Sequence, residues 1–351
     1  MPDAGGGDTT THNTDVVIIG AGPVGLFAVF ELGLLGLHAH VVDILDRPGG
    51  QCAELYPEKV ILDIPSRLKI TGQELTNDLM AQIAVFKPEF HFQEIAVNIE
   101  KRENGRWLLT TDVGTRIEAA VVLIAGGGGS FTPKKPKLER LDEFEGKSLF
   151  YAVRKKEQFR GKNVLIAGGG DSALDWAVNL QDVAAGMTLV HRRNEFRGMQ
   201  ATVDQMYGLV KAGKINLEIA DILRVNGEAG QIRSVTLKSA EKGEYDAPCD
   251  TLLPFYGLTM KLGPIAEWGI HLDDKDRIPV STETFETAVP GIYCIGDMCA
   301  YPGKLKLILS GFHEAALMAH ACFHHARPNQ KLRFEHTTSS SNLQEKLGVA
   351  G

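Results

Sequence analysis

From residue 16 to residue 42 the chain is apolar at most positions, and the interruptions are informative. The run Val16-Val17-Ile18-Ile19 shows no alternation, the pattern of a strand buried on both faces in a parallel sheet. It stops at Gly20-Ala21-Gly22-Pro23-Val24-Gly25. Beyond this turn Leu26, Phe27, Phe30 and Leu34 recur at helical spacing up to a break near Gly36. Pro23 falls at the first helical turn, where its missing N–H costs nothing. Val41 and Val42 lead into Asp43 as a second strand, so the stretch predicts a βαβ unit. Glycines, Pro23, Glu31 and His38 interrupt the apolar run, which argues for a buried strand, tight turn and helix rather than a membrane span.

The same order recurs later. Val164-Leu165-Ile166-Ala167 precedes Gly168-Gly169-Gly170-Asp171-Ser172-Ala173, and a second strand, Leu189-Val190, ends at His191-Arg192-Arg193. Between the two units, Gly49-Gly50 predicts a turn and Thr71-Gly72-Gln73-Glu74 precedes a helix over 75–86. Strands over 90–100 and 107–111 are expected to run antiparallel around Asn104-Gly105. A buried strand over 121–125 runs into the glycines 126–129, and Pro133 and Pro136 suggest a linker. Strands are expected at 217–219 and 232–237, a return segment after Leu252-Leu253-Pro254, and strand-like segments at 278–280 and 292–297. A helix from Ser310 or Gly311 to about His324 precedes a polar tail from about residue 327. The expected architecture is α/β: two Rossmann-like dinucleotide-binding domains, the second (131–257) inserted into the first (14–130 and 258–351), behind a disordered 1–13 tail.

Composition narrows the class. The 351 residues are 44% hydrophobic, enough for one large core or two moderate ones, and a net charge of −7 argues against nucleic-acid binding. The N-terminus has no apolar core, so neither a signal peptide nor membrane insertion is expected. The five cysteines are an odd number with no pair at metal or redox spacing, which favours a reducing cytoplasm.

The chemistry sits in the two turns. In the first, Gly20 makes the tight turn, Gly22 lets a pyrophosphate approach the backbone, and Gly25 lets helix pack on strand. The helix start offers oriented N–H groups to phosphate, and Asp43 accepts from ribose hydroxyls, as FAD or NAD requires. In the second, Ala173 replaces the third glycine, which the pattern allows. His191, Arg192, Arg193 and Arg197 stand where a ribose 2′-phosphate would lie, although an ordinary solvated basic surface is the alternative. Two charged hydrogen bonds of roughly 1.5–3 kcal/mol each would favour NADPH over NADH by roughly 10²–10⁴-fold. Asp297, after a strand and Gly296, suits a flavin ribityl hydroxyl, or alternatively a helix cap. Cys294 and Cys299 are read as packing residues. A chain holding both nucleotides is most simply an enzyme that passes electrons between them.

The segments GAGPVG, GGQCAELYPEK, LIAGGGGSFTPKK, GGGDSALDWA, HRRNEFRG, LGPIAEWGI, VPGIYCIGDMCAYPGKLKLI and RFEHTTS occur in this order. Together they resemble the thioredoxin reductase-like (type 2) ferredoxin–NADP⁺ reductases over nearly the whole chain. The resemblance implies a homodimeric FAD enzyme that transfers hydride between NADPH and flavin and exchanges single electrons with ferredoxin, or with flavodoxin as an alternative acceptor. It implies FAD contacts from Asp43, Gln51, Asp297, Thr338, Phe131 and the Ala96 backbone. Tyr56 would stack on one flavin face and the partner subunit's His336 on the other. Thioredoxin reductases carry a Cys-x-x-Cys before the second turn; the corresponding positions here are Tyr151 and Arg154. A disulfide reductase is therefore the lesser alternative, and a non-catalytic NADPH-sensing flavoprotein another. Lys134, Lys135, Lys137, Arg154, Lys155 and Lys156 are candidate docking charges, and the glycines 126–129 and Gly257 candidate hinges.

Overall fold

The computed structural model describes residues 11–332 and 344–345, without the side chains of residues 131, 132 and 260. It divides into two compact units, Met1–Ser130 with Met260–Gly351, and Phe131–Thr259. The two chain crossings, Ser130–Pro133 and Leu258–Lys261, pair as a two-stranded ribbon.

In the first unit β1 (Thr11–Ile19), α1 (Pro23–Leu34) and β2 (Ala39–Asp43) form a parallel βαβ unit, with Val17 opposite His40 and Ile19 opposite Val42. Across the sheet the order is Glu89–Phe92, β2, β1, Arg116–Ile124, Trp107–Thr111 and Ala96–Lys101. The short strand Ile292–Cys294 also pairs with Arg116–Ile124. One face buries Ile18, Val41 and Leu123 with Leu26 and Val29 of α1, Leu75 and Leu79 of the helix Gly72–Ile83, and Met318 of the long helix Ile308–Ala326. Each such aliphatic side chain contributes roughly 1.5–3 kcal/mol relative to exposure. The other face buries Val17, Val42, Trp107, Leu109, Ile278 and Met298.

The second unit has a four-stranded parallel sheet in the order Asn216–Ile219, Gly186–His191, Asn163–Ala167 and Thr251–Pro254. Helices Asp171–Leu180 and Gln200–Lys211 belong to this unit. A separate antiparallel sheet joins Asp221–Glu228, Gln231–Ser239 and Gly243–Pro248. Phe144, Leu149, Leu165, Val235 and Leu252 share its core.

Several expectations need correction. Thr11, His12 and Asn13 are not tail: their backbones pair with Arg116, Ile117 and Glu118 in β1, a main-chain ladder that needs no apolar side chains. Residues 1–10 lie outside the described chain. The strand expected over 90–100 is two strands, divided where Gln93 adopts φ +59°. Its first half, Glu89–Phe92, runs parallel to β2, and only Ala96–Lys101 forms the hairpin with Trp107–Thr111. The segment over 232–237 belongs to the separate antiparallel sheet. The helix expected from residue 75 starts at Gly72, because Thr71 Oγ1 accepts the Glu74 N–H (3.2 Å) and Glu74 Oε2 accepts the Thr71 N–H (2.8 Å).

Candidate cofactor-binding sites

The first glycine turn is built by close backbone packing. Gly20 has φ +111°, and a Cβ on it would lie 2.4 Å from the Ala125 carbonyl oxygen; one on Gly25 would lie 2.0 Å from that of Gly20. A Cβ on Gly22, by contrast, would meet nothing within 4 Å. Gly22 caps α1 without a side-chain hydrogen bond, so the first N–H groups of α1 face an open cradle. Such a cradle fits a pyrophosphate.

Asp43 closes this site from the end of β2. Its Oδ2 accepts the Ala21 N–H at 2.6 Å and its Oδ1 the Leu45 N–H at 2.8 Å. Burial pushes its carboxyl above the ordinary value, and these two hydrogen bonds oppose the rise. The side chain therefore anchors the turn, and the lone pairs it has left would fit a ribose hydroxyl. The Glu94 N–H donates to the Asp43 carbonyl, which brings the chain entering Ala96 to the same strand end. The Gly49 N–H donates to the Ala21 carbonyl at 2.8 Å, setting α2 (Gly50–Leu55) against the turn. Gln51 lies in α2, and Tyr56 is its C-terminal cap residue.

Tyr56, Cys52 and Asp297 come together. Burial raises the Tyr56 phenol, and the neighbouring Cys52 and Asp297 raise it further. Burial takes the Cys52 thiol to about 11, against a hydrogen bond from Tyr56. Asp297 lies in the 3-10 turn Gly296–Met298 and makes no cap; the helix Ile308–Ala326 starts after an intervening loop. Phe131 lies in the connecting ribbon, but its side chain is outside the described ones, as are His336 and Thr338 altogether.

Sequence reasoning missed what holds this turn. Glu314, fully buried, accepts the Gly296 N–H at 2.7 Å, the Tyr301 hydroxyl at 2.7 Å, and the Lys304 ammonium, itself only 2% exposed. Cys299 donates to the Gly296 carbonyl at 3.2 Å. The partners of Glu314 lie ten or more positions before it, in the irregular chain that precedes its helix, and leave no periodic signal.

In the second unit the basic loop is folded onto its glycine turn. The Arg197 N–H donates to the Gly169 carbonyl at 2.8 Å, and the Met199 N–H to Asp171 Oδ1 at 3.0 Å. His191 Nε2–H donates to the Glu195 carbonyl at 3.2 Å, and its ring lies where a Cβ on Gly169 would clash at 2.4 Å. Arg192, Arg193 and Arg197 are thus carried on a loop whose backbone is pinned beside the phosphate cradle. Burial lowers the His191 imidazole, its contact with the Glu195 carbonyl works against this, and the three arginines lower it further, so at neutral pH the arginines carry the positive charge. Gly170 caps Asp171–Leu180 without a side-chain hydrogen bond, and a Cβ on it would meet nothing within 4 Å. Ser172 and Ala173 fall in the first turn of that helix, and the Ala173 N–H donates to the Gly170 carbonyl. This arrangement fits a nucleotide with a phosphorylated ribose.

All five cysteines are buried and unbridged, as expected of packing residues. Burial drives Cys249, Cys299 and Cys322 each to about 12 and Cys294 well above its ordinary value.

Residues 14–321 match the family model described as pyridine nucleotide-disulphide oxidoreductase. The chain is 58% identical to a protein of Parvibaculum lavamentivorans named ferredoxin–NADP reductase, over 97% of this chain and 99% of that one. It is 53% identical to one of the same name from Mesorhizobium japonicum, over 97% and 98%. Among solved structures it resembles the thioredoxin reductases of Lactococcus lactis (TM-score 0.73, 23% identity, 89% of this chain and 99% of that one) and T. acidophilum (0.74, 23%, 89% and 98%). At that identity the likeness is one of fold.

Proposed function

This chain belongs to the pyridine nucleotide-disulphide oxidoreductase family and, within it, to the ferredoxin–NADP reductases, and from that premise we infer that it moves electrons between NADPH and ferredoxin through FAD. One observation carries the reading: the turn closed by an acidic strand end and the turn closed by a pinned arginine loop stand in the same chain. Bound FAD supplies the exchange between a two-electron hydride from nicotinamide and single electrons for an iron–sulfur partner. The protein's own residues bind and orient. The α1 and α2 starts with Asp43 hold the FAD end, Asp297 the ribityl chain, and Tyr56 a flavin face. The cradle at Gly168 and Gly170 with Arg192, Arg193 and Arg197 holds NADPH. NADPH oxidation that depends on added ferredoxin tests this; turnover indifferent to ferredoxin would contradict it.

The lesser alternative, disulfide reduction, needs an accessible dithiol. Thiols held at about 11 to 12 are on the order of a ten-thousandth or less ionised at neutral pH. The folded holoenzyme is expected to show no rapidly titrating thiol before or after NADPH reduction, and five after denaturation. Two thiols appearing on reduction would favour the disulfide reductase.

Ferredoxin docks, on this reading, through the exposed Lys134, Lys137 and Lys155, with the exposed Arg154 beside them engaged within the chain. Lys135 is already paired with Glu145 (2.7 Å) and Lys156 with Asp182 (3.4 Å). Reversing the charge of Lys134 and Lys137 together is expected to cut ferredoxin-dependent kcat/KM about tenfold at low salt and to flatten its salt dependence. An unchanged salt slope would place docking elsewhere.

The working form is a homodimer in which the partner's His336 covers the second flavin face and Thr338 contacts FAD. Unbridged cysteines support a reducing cytoplasm, and no described helix is long and apolar enough to cross a membrane. The inserted unit reorients about the glycines 126–129 and Gly257, of which Gly127, Gly129 and Gly257 adopt positive φ.

A further inference from the structure

Away from both glycine turns, three neighbouring strands of the first sheet place histidines and carboxylates together. His12 lies in β1, His40 in β2, and Glu89 and His91 in the edge strand Glu89–Phe92. His40 Nε2 lies 3.6 Å and His12 Nδ1 3.9 Å from Glu89 Oε2, and all three ligand atoms fall within 4.8 Å of one another. A zinc ion with bonds of about 2.0–2.2 Å would bring its ligand atoms to roughly 3.3–3.6 Å apart, so the two histidine–glutamate distances close by roughly half an ångström or less and the two imidazoles by up to about 1.5 Å. Half-buried His12 (39%) and exposed Glu89 (63%) can supply that movement, while His40 (8%) is fixed by burial.

The surrounding shell fits the same purpose. His40 Nδ1 lies 3.0 Å from His91 Nε2, and the two ring planes are only 19° apart, side by side as an in-plane hydrogen bond requires. If Nδ1 carries the proton and donates it to His91, the Nε2 lone pair of His40 is left facing Glu89. That is the relation by which an outer group fixes the tautomer and aim of a metal-binding imidazole. Glu94 flanks His91 in turn: its Oε1 lies 3.9 Å from His91 Nδ1, and its Oε2 accepts the Thr111 hydroxyl at 2.7 Å. An ordinary exposed pair of histidine and glutamate, such as His325 and Glu286, lacks a second ligand and a positioning shell among the described residues.

We propose that His12 Nδ1, His40 Nε2 and Glu89 form a site for a divalent transition metal of the zinc type, with His91 as its positioning residue. Two imidazoles and one carboxylate leave a fourth position for water. The ion ties the beginning of β1 to the edge of the sheet, so its effect is on stability and not on hydride transfer.

The test uses chelator-treated, tag-free holoenzyme in equilibrium dialysis against micromolar zinc chloride, with bound zinc measured by elemental analysis. The wild type is expected to hold one zinc per chain. Glu89→Gln, at an exposed position, and His12→Asn, at a half-buried one near the start of β1, are expected to weaken binding at least tenfold. His91→Phe leaves the three ligands in place and is expected to weaken it roughly 10–100-fold. His325→Asn should bind as the wild type does. Zinc should raise the Tm of the wild type and leave that of Glu89→Gln unmoved. Less than stoichiometric zinc on the wild type, or Glu89→Gln and His12→Asn binding as tightly as the wild type, would overturn the proposal.

Discussion

Replacing Arg192 and Arg193 together by alanine lowers kcat/KM for NADPH by roughly 10²–10⁴-fold, because each removes a charged hydrogen bond of roughly 1.5–3 kcal/mol. The rate with NADH should stay near that of the wild type, so the preference between the two nucleotides disappears. The loop keeps its place in this variant. Its anchors are the Arg197 N–H on Gly169, the Met199 N–H on Asp171 and the His191 ring against Gly169, none of which uses the deleted side chains. FAD content should be unchanged, since the flavin cradle belongs to the other compact unit. Steady-state kinetics with both nucleotides, normalised to bound flavin, give the result directly. An equal loss for NADPH and NADH would mean that the arginines do not read the ribose phosphate. Lysine replacements should recover only part of the loss, because a lysine supplies charge without the planar donor fork.

The second large effect is expected at Glu314. Replacement by alanine leaves the Lys304 ammonium buried without its carboxylate and takes the acceptor from the Gly296 N–H and the Tyr301 hydroxyl. Breaking a buried ion pair from one side costs about 3–5 kcal/mol. The damage centres on the turn that carries Asp297, so flavin should be lost at temperatures where the wild type retains it. The double variant Glu314→Gln with Lys304→Met removes both charges and should recover most of the stability, since replacing both partners of a buried pair costs far less than stranding one. Thermal unfolding followed in parallel by flavin fluorescence separates the two effects. A Glu314→Ala protein as stable as the wild type would show that the network is incidental.

Both glycine turns are legible in the sequence because each is local. Strand, turn, helix and second strand lie within about thirty residues, and the residue ending the second strand is set by that spacing. Asp43 and the arginine loop are found this way. The anchoring role of Asp43 is not, because its bonds to Ala21 and Leu45 are visible only once the strand ends are side by side. Glu314 reaches Gly296, Tyr301 and Lys304 across the irregular chain that precedes its helix, so no period betrays the network. The strand Asp221–Glu228 escapes notice for a different reason: half of its residues are exposed, only Val225 is buried, and it shows no apolar alternation. Thr11, His12 and Asn13 read as tail because their contribution is the backbone ladder to Arg116, Ile117 and Glu118. Tyr56 has no local signal at all. Family resemblance singles it out, and its closeness to Cys52 and Asp297 supports a place beside the flavin. His336 and Thr338 rest on the resemblance alone.

Anaerobic stopped-flow of the holoenzyme tests the central claim most directly: flavin absorbance is followed after mixing with NADPH or NADH, and ferredoxin is then added to the reduced protein. The expected result is rapid bleaching by NADPH, much slower bleaching by NADH, and rapid return of colour with ferredoxin. Bleaching by NADPH that ferredoxin fails to reverse would contradict the assignment of the acceptor, and no bleaching by either nucleotide would contradict hydride transfer in this chain.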